Sequence, residues 1–554
     1  MGIRAKWARK VDRCYGQPMT ETAPLLLDGR TLSFGELVAV ARDGRSVELC
    51  AVARERMVES YGWVADAGKK NQPVYGVTTG FGSLARVTIP ADLRARLSVN
   101  LIRSHAAGVG RPLERSVVRA MMLLRANALA KGVSGCRPVL VETLLEMINR
   151  DLTPVVPEQG SCGSSGDLAP LAHLGLVMTA DQTEGRAWYR GQVLPGDEAM
   201  RRAGIAQIQL EAKDGLAITN GAQLTTAIAG LCCHDARLLM AQAEVVAAMS
   251  IEALRGASRA FHPVVHEQRP YAGARAVAAN LRRLMSGSTL IDSMPEKVQD
   301  AYSLRCTPQV LGSCRDLLDF CCRQVDVELN AATDNPLILL HAEAAPEGFS
   351  HDPENHAYSA GMFHGEPVGM AMDTLKLAVA ELASLSERRL YRLTTGSLSQ
   401  RLPPGLARKD RPELGLVLPH TTAAALVSEN KALGWPASLD SIPTCEDQED
   451  HVAMSTTAAR RAAEVVLNSR RVVAIELLGA SAALEFRREE DSEVGLGIGT
   501  RVALATVRNA LDALPENPIP SLKIETLERL LFRGELLDGM PELFEVGDAP
   551  ELVG

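Results

Sequence analysis

Three serines and three glycines crowd into one short stretch of this 554-residue chain, Gln159 to His173, whose centre reads Gly-Ser-Cys-Gly-Ser-Ser-Gly-Asp-Leu. Glycine lets a backbone take positive φ and close on itself. If the amide nitrogen of Gly166 attacks the carbonyl carbon of Ser164, a five-membered ring forms, and loss of water from Ser165 then leaves an exocyclic methylidene carbon. Such a ring would be a strong electrophile, which ordinary side chains cannot supply.

The competing interpretation of this stretch is a plain turn, the usual role of Gly-Ser loops. A hydrolase elbow is excluded, because Gly-x-Ser-x-Gly cannot be laid over Gly163-Ser164-Ser165-Gly166. However, residues 160–173 resemble the signature of the histidine and aromatic amino acid ammonia-lyases, in which Ala-Ser-Gly cyclises to 4-methylideneimidazol-5-one (MIO). The resemblance implies that Ser164, Ser165 and Gly166 form MIO autocatalytically, with no dissociable cofactor. Ser164 replaces the usual alanine, and its side chain would hang from the ring.

Two further segments resemble the catalytic loops of the same family. Residues 75–82, Tyr-Gly-Val-Thr-Thr-Gly-Phe-Gly, lack the spacing of a dinucleotide-binding loop. They resemble the loop that carries the family's tyrosine base, which here would be Tyr75, although taken alone this residue is more typical of a packed loop. A phenol removes a carbon-bound proton only if its pKa is lowered or a partner takes its proton. Residues 213–221 resemble the segment whose asparagine, here Asn220, lies near the ring.

The resemblance also indicates which residues face the substrate side chain. Histidine lyases carry Ser-His at the position of Ser104 and His105, as do some tyrosine aminomutases, whereas phenylalanine lyases carry Phe-Leu. Residues 448–451 read Gln-Glu-Asp-His, as in histidine lyases. The resemblance therefore assigns Gln448 and Glu449 to substrate binding, with Glu449 accepting a hydrogen bond from an imidazole N–H.

The same acidic segment could instead hold a metal ion. We expect none, because its carboxylates lack zinc-site spacing and fall at a predicted helix start, where acidic residues are favoured anyway.

A third stretch suggests how an amino acid carboxylate is held. Residues 299–305 match the family's Gln-Asp-x-Tyr-Ser-Leu-Arg. An arbitrary arginine is usually a surface charge, yet a guanidinium can hold a carboxylate with two parallel hydrogen bonds. The resemblance assigns Arg305 to the carboxylate, Tyr302 to catalysis and Gln299 to the same neighbourhood.

One more family segment, residues 361–367, supplies Phe363 as a substrate-binding residue. Met362 replaces the usual asparagine in this segment.

The elements that position these residues are predicted to be helices. Apolar residues make up 46% of the chain and aromatic residues only 4%, with abundant alanine and leucine. We predict a mainly α fold, a long antiparallel helix bundle with an N-terminal loop-rich domain. Helical periodicity marks residues 112–130, 224–254, 369–393 and 452–486. The predicted parts are a leader extension (1–24), an N-terminal domain with the tyrosine and serine loops (25–223), a central bundle (224–514) and a C-terminal tail packed on it (515–554).

Charge and cysteine content exclude several classes of partner. A net charge of −8 argues against nucleic acid, and no uncharged apolar stretch is long enough to span a membrane. The eleven cysteines include no Cys-x-x-Cys pair, which favours free thiols in a reducing cytoplasm. The resemblance adds a small amino acid substrate and a homotetramer whose sites are shared between subunits.

The resemblance covers about residues 29–511, with its motifs in the family's order, and implies an amino acid ammonia-lyase. L-Histidine, converted to trans-urocanate and ammonia, is the favoured substrate. A tyrosine ammonia-lyase or tyrosine 2,3-aminomutase is the nearest alternative, and a catalytically inert helical homo-oligomer is the alternative from another class. The fumarase and aspartase group, faintly suggested by residues 294–297, lacks the Ser-Gly-Asp-Leu-Ala-Pro run.

Overall fold

The computed structural model describes residues 23–82, 85–341, 355–408 and 414–543, so most of the predicted leader and the last residues of the tail lie outside it. The chain groups into two compact units. Unit 1 consists of Met1–Leu231, Arg323–Met372 and Pro436–Arg460. Unit 2 consists of Cys232–Cys322, Asp373–Trp435 and Arg461–Gly554. The boundaries of the predicted domains stay predictions.

Helices dominate the described residues, which confirms the predicted fold class. In chain order the helices are α1 Phe34–Ala41, α2 Ala51–Lys69, α3 Arg94–His105, α4 Arg115–Ala130, α5 Pro138–Asn149, α6 Leu168–Met178, α7 Gly196–Ala203, α8 Asp214–Thr219, α9 Gln223–Ala253, α10 Pro263–Glu267, α11 Ala272–Leu284, α12 Tyr302–Arg305, α13 Thr307–Leu329, α14 Glu366–Thr394, α15 Val417–Leu433, α16 Ser455–Glu490, α17 Ile498–Asp512 and α18 Pro520–Arg533. Among these helices, none is both long and apolar enough to cross a bilayer.

The strands are short and form small sheets. They are β1 Leu25–Leu27, β2 Val47–Leu49, β3 Val109–Pro112, β4 Thr153–Pro154, β5 Pro157–Gln159, β6 Arg186–Tyr189, β7 Gln192–Pro195, β8 Leu337–Ile338 and β9 Ala357–Tyr358. β1 pairs with β2 in parallel, whereas β3–β5, β4–β6–β7 and β8–β9 are antiparallel. The β3–β5 pair matters most for the site, because the serine-rich loop leaves the end of β5.

Local sequence signals explain several helix ends. Ser33 caps α1 through a capping box with Glu36, in agreement with the start predicted from the sequence. The periodicity over residues 224–254 likewise predicts α9 to within one residue at each end. The helix predicted from residue 112 begins only at Arg115, because Pro112 pairs with Pro157 in the β3–β5 sheet.

The prediction that a helix begins at residue 452 was wrong in an informative way. α16 begins at Ser455, because Met454 has φ +46° and a right-handed helix cannot contain that conformation. The acidic residues before it therefore do not stand at a helix start but in a turn.

Unit 2 has an apolar core with a charged pair buried inside it. Ala383, Leu390, Val472 and Ile475 belong to one packed cluster. On the same two helices, Arg389 pairs with Glu476, and both side chains are fully buried. Ser250 and Ser386 also donate to Glu476, so each carboxylate oxygen is hydrogen-bonded, as a buried ion requires. The tail helix α18 buries Leu527, Leu530 and Leu531.

Candidate active site

The serine-rich loop lies in unit 1, between β5 and α6, and it folds tightly against a second glycine. Gly166 has φ +78°, and its backbone bridges to Gly221. A Cβ added to Gly166 would stand 2.4 Å from the backbone nitrogen and carbonyl carbon of Gly221. Only glycine fits at position 166, for reasons of both conformation and space. The same absence of a side chain leaves the Gly166 nitrogen unhindered.

Asp167 anchors the loop immediately after Gly166. Its buried carboxylate accepts hydrogen bonds from the hydroxyl of Ser161 at 2.7 Å, from the amide and hydroxyl of Thr225 at 2.8 and 3.0 Å, and from the hydroxyl of Thr456 at 2.6 Å. Burial raises the pKa of this carboxyl, and the hydrogen bonds act in the opposite direction. The network ties the loop to the first turns of α9 and α16.

Asn220 lies against the centre of the loop. Its Nδ2 donates to the Ser165 carbonyl oxygen at 3.3 Å, and among the described residues its buried Oδ1 has no hydrogen-bond partner. The fully buried Arg125 fixes this segment by donating to the carbonyl oxygens of Asn220 at 2.7 Å and Thr333 at 3.0 Å. No local pattern marks Arg125 in the sequence, because its partners are 95 and 208 residues away in the chain.

The Glu449 carboxylate accepts hydrogen bonds from the two serines that would form part of the ring. Ser164 Oγ donates to Glu449 Oε2 at 3.1 Å, and Ser165 Oγ donates to Oε1. Thr444 Oγ1 also donates to Oε2, at 2.6 Å. The family resemblance assigns Glu449 to substrate binding, and the structure brings its carboxylate into direct contact with the serine-rich loop.

The turn that carries Glu449 is strained. Cys445, Glu446 and Asp447 have φ of +53°, +52° and +62°, which costs each of these non-glycine residues about 1–2 kcal/mol. The turn is closed by backbone hydrogen bonds between Thr444 and Glu449 in both directions, at 3.0 and 3.3 Å. Strain of this kind concentrates at functional sites. Gln448, on the same turn, is exposed to solvent.

Tyr75 lies on the loop after α2 and is mostly buried. The Gly82 amide donates to its hydroxyl at 3.1 Å, and Phe81 packs edge-on against its ring. Burial raises the pKa of Tyr75, the Gly82 hydrogen bond acts to lower it, and the charges of Cys445 and Glu449 add to the increase. The lowered pKa that a phenolate base would need is therefore not present in this state of the chain, so an acceptor for the phenol proton is required.

Ser104 and His105 end α3. Ser104 Oγ lies 2.9 Å from His105 Nδ1 and donates to the Leu101 carbonyl oxygen at 3.1 Å. Burial lowers the pKa of His105, while Glu449 acts in the opposite direction. Burial therefore favours the neutral imidazole of His105.

The segment that precedes α14 contacts the serine-rich loop through its backbone. The Gly365 amide donates to the Gly163 carbonyl oxygen at 2.9 Å. Phe363 is half-buried, whereas Met362 is exposed. The ring of the next residue, His364, stacks on His451 with 6.1 Å between ring centroids.

Gln299, Tyr302 and Arg305 belong to unit 2. The Arg305 guanidinium lies over the Tyr302 ring, 4.7 Å from its centroid, and Arg305 Nε is buried without a hydrogen-bond partner in the described part of the chain. Tyr302 is 71% exposed, and Gln299 is also exposed. The structure therefore brings Arg305 and Tyr302 together.

Comparison with known proteins defines the class. The aromatic amino acid lyase model matches residues 32–509, and the chain belongs to this family. It is 50% identical over 465 residues to a histidine ammonia-lyase of Caldanaerobacter subterraneus, covering 84% of this chain and 88% of that one. It is 44% identical over 523 residues to a histidine ammonia-lyase of Alkaliphilus oremlandii, covering 94% and 99%.

Two solved structures share the fold over most of their length. Histidine ammonia-lyase from Trypanosoma cruzi superposes with a TM-score of 0.84 at 35% identity, covering 96% of this chain and 100% of that one. Tyrosine aminomutase from Streptomyces globisporus also gives a TM-score of 0.84, at 33% identity, covering 93% and 98%.

Proposed function

We propose that this protein is an MIO-dependent histidine ammonia-lyase, which converts L-histidine to trans-urocanate and ammonia. The observation that carries the proposal is the Glu449 carboxylate, which accepts hydrogen bonds from both Ser164 and Ser165 of the ring-forming loop. A carboxylate at this place suits a substrate with a ring N–H donor. The histidine ammonia-lyases that resemble this chain over most of its length support the same choice.

The residues around the loop fit the formation of MIO. Gly166 has the positive φ and the unhindered nitrogen that ring closure needs. Asn220 donates to the Ser165 carbonyl oxygen, and its Oδ1, beside the loop, has no hydrogen-bond partner among the residues that the structure describes. Hydrogen bonds from Thr225 and Thr456 hold Asp167, the residue after Gly166, in a fixed position. When formed from Ser164, Ser165 and Gly166, MIO supplies an electrophilic carbon that makes the amino group of the substrate a leaving group.

The other side chains would bind, orient and deprotonate the substrate. Arg305 would hold the carboxylate with two hydrogen bonds, and Tyr302, stacked against it, would keep the guanidinium in place. Tyr75 would take the proton from the β-carbon, with its own proton passing to an acceptor. Gln299, Phe363 and the Ser104–His105 pair would line the rest of the pocket.

The assembly proposed for this enzyme is a homotetramer with sites shared between subunits. Tyr302 at 71% exposure and Val298 at 96% give the segment of residues 298–305 a surface that another copy of the chain could cover. The mass of the native particle in solution tests this part of the proposal. The cytoplasmic location stays a prediction.

A substrate screen tests the function directly. Purified protein is incubated separately with L-histidine, L-tyrosine and L-phenylalanine, and the products are identified by mass spectrometry, with Ser165→Ala as the matched control. The expected result is trans-urocanate and ammonia from L-histidine, with no turnover by the control. Conversion of L-tyrosine with no reaction of L-histidine would indicate the tyrosine lyase or aminomutase instead.

A further inference from the structure

Three hydroxyl groups surround the Glu449 carboxylate, and they divide unequally between its two oxygens. Oε2 accepts from Ser164 Oγ at 3.1 Å and from Thr444 Oγ1 at 2.6 Å, whereas Oε1 accepts from Ser165 Oγ. The two donors to Oε2 come from separate segments, the serine-rich loop and the strained turn. Two donors in different directions restrict the rotation of a carboxylate far more than one.

The formation of MIO would change this arrangement on one side only. Cyclisation releases one water, which contains the Ser164 carbonyl oxygen, and dehydration of Ser165 releases its hydroxyl as the second. Oε1 of Glu449 then loses the Ser165 hydroxyl as a donor, while the Ser164 and Thr444 hydroxyls still donate to Oε2. The same chemistry that creates the electrophile therefore frees one oxygen of Glu449, on the side where the Ser165 hydroxyl stood.

Ser164 is the residue at which this chain departs from the family signature, which has alanine. Because alanine supports ring formation in the family, the Ser164 hydroxyl is not needed for cyclisation. The hydroxyl instead donates a hydrogen bond to Glu449 Oε2. Thr444 reaches the same oxygen because Cys445, Glu446 and Asp447 adopt the left-handed conformation that folds the turn back on itself.

We propose that Ser164 and Thr444 are positioning residues, which hold Oε2 of Glu449 so that Oε1 is directed at the ring N–H of the substrate. This inference rests on the proposed function, since it names the contact by which histidine is selected. The two hydroxyls act through Glu449 and do not touch the substrate.

The test compares variants that remove each hydroxyl with variants that keep it. Ser164→Ala and Thr444→Val remove one donor each, and Ser164→Thr and Thr444→Ser retain it. Every variant should show the two-water mass deficit. We expect kcat/KM for L-histidine to fall about tenfold in Ser164→Ala and in Thr444→Val, mainly through KM, as for the loss of a hydrogen bond to a charged group. The hydroxyl-retaining variants should lose clearly less.

A double-mutant cycle separates positioning from a merely structural role. If Ser164 acts through Glu449, then Ser164→Ala should have no further effect in a Glu449→Ala background. The cycle is measured as kcat/KM for L-histidine and as the Kd of trans-urocanate. The Kd can still be measured if Glu449→Ala turns over too slowly for kinetics. Equal losses in both backgrounds, or no loss in Ser164→Ala alone, would overturn the inference. If the proposed function itself were wrong, the wild-type protein would lack the two-water mass deficit or would not convert L-histidine.

Discussion

The replacement Gly166→Ala probes the geometry on which ring formation depends. Gly166 combines φ +78° with a backbone neighbour, Gly221, that a Cβ would meet at 2.4 Å. Gly191 is a matched control, because it has the same φ of +78° and open space where its Cβ would stand. The two alanine variants therefore share the conformational strain and differ in the collision.

The expected losses of unfolding free energy follow from these two effects. An alanine in the left-handed region costs about 1–2 kcal/mol, which is the whole effect expected for Gly191→Ala. A forced contact with backbone that cannot move away adds about 1–3 kcal/mol, so Gly166→Ala should lose about 2–5 kcal/mol. The alanine methyl also crowds the nitrogen that must attack the Ser164 carbonyl carbon, so ring formation should stop.

Urea denaturation and intact-mass measurement check both effects on the same samples. We expect Gly191→Ala to keep the two-water deficit and the activity, and Gly166→Ala to lose both and to unfold at a lower urea concentration. If the two variants unfolded at the same urea concentration and Gly166→Ala still showed the two-water mass deficit, the close contact with Gly221 would not constrain residue 166.

Three further predictions address other parts of the molecule. Lys213 Nζ lies 3.1 and 3.2 Å from the carboxylate oxygens of Asp334, and both side chains are fully buried. Because Lys213→Met removes one partner of this buried ion pair, it should lower the unfolding free energy by about 3–5 kcal/mol. A urea midpoint close to that of the wild type would contradict this. Arg305→Lys should raise KM for L-histidine at least about tenfold, because lysine cannot form two parallel hydrogen bonds with a carboxylate, and steady-state kinetics measures this. Burial raises the pKa of Tyr75 and lowers that of His105, so kcat should rise with pH through the alkaline range as the phenol loses its proton, and protonation of His105 should remove further activity only below the ordinary histidine pKa. A profile of kcat that peaks at neutral pH, or an alkaline rise of unchanged size in Tyr75→Phe, would argue against the roles assigned to these two residues.

Features that depend on neighbouring residues could be predicted from the sequence. The bounds of α9 follow from the spacing of its apolar residues, and the start of α1 follows from the Ser33 capping box. The serine-rich loop was recognisable because its glycines and serines are consecutive. Each of these signals lies within a few residues of the structure that it predicts.

Features that depend on distant residues could not be predicted. The Asp167 carboxylate is satisfied by Thr225 and Thr456, which are 58 and 289 residues away, and no local pattern marks either threonine. The turn before α16 was mistaken for a helix start, because acidic residues favour both. Its left-handed residues are not glycines, so their conformation depends on the contacts that Glu449 makes, which the sequence does not specify.

Residues 164–166 are proposed to become a prosthetic group, and the intact mass of the purified wild-type protein is the measurement on which this proposal depends. We expect a mass two waters below that of the translated sequence, with the loss located by peptide mapping in the fragment that contains Ser164-Ser165-Gly166. Ser165→Ala should not show this deficit, because it lacks the hydroxyl that leaves as the second water. A fully assembled protein with the unmodified mass and an open Ser-Ser-Gly backbone would contradict the proposal.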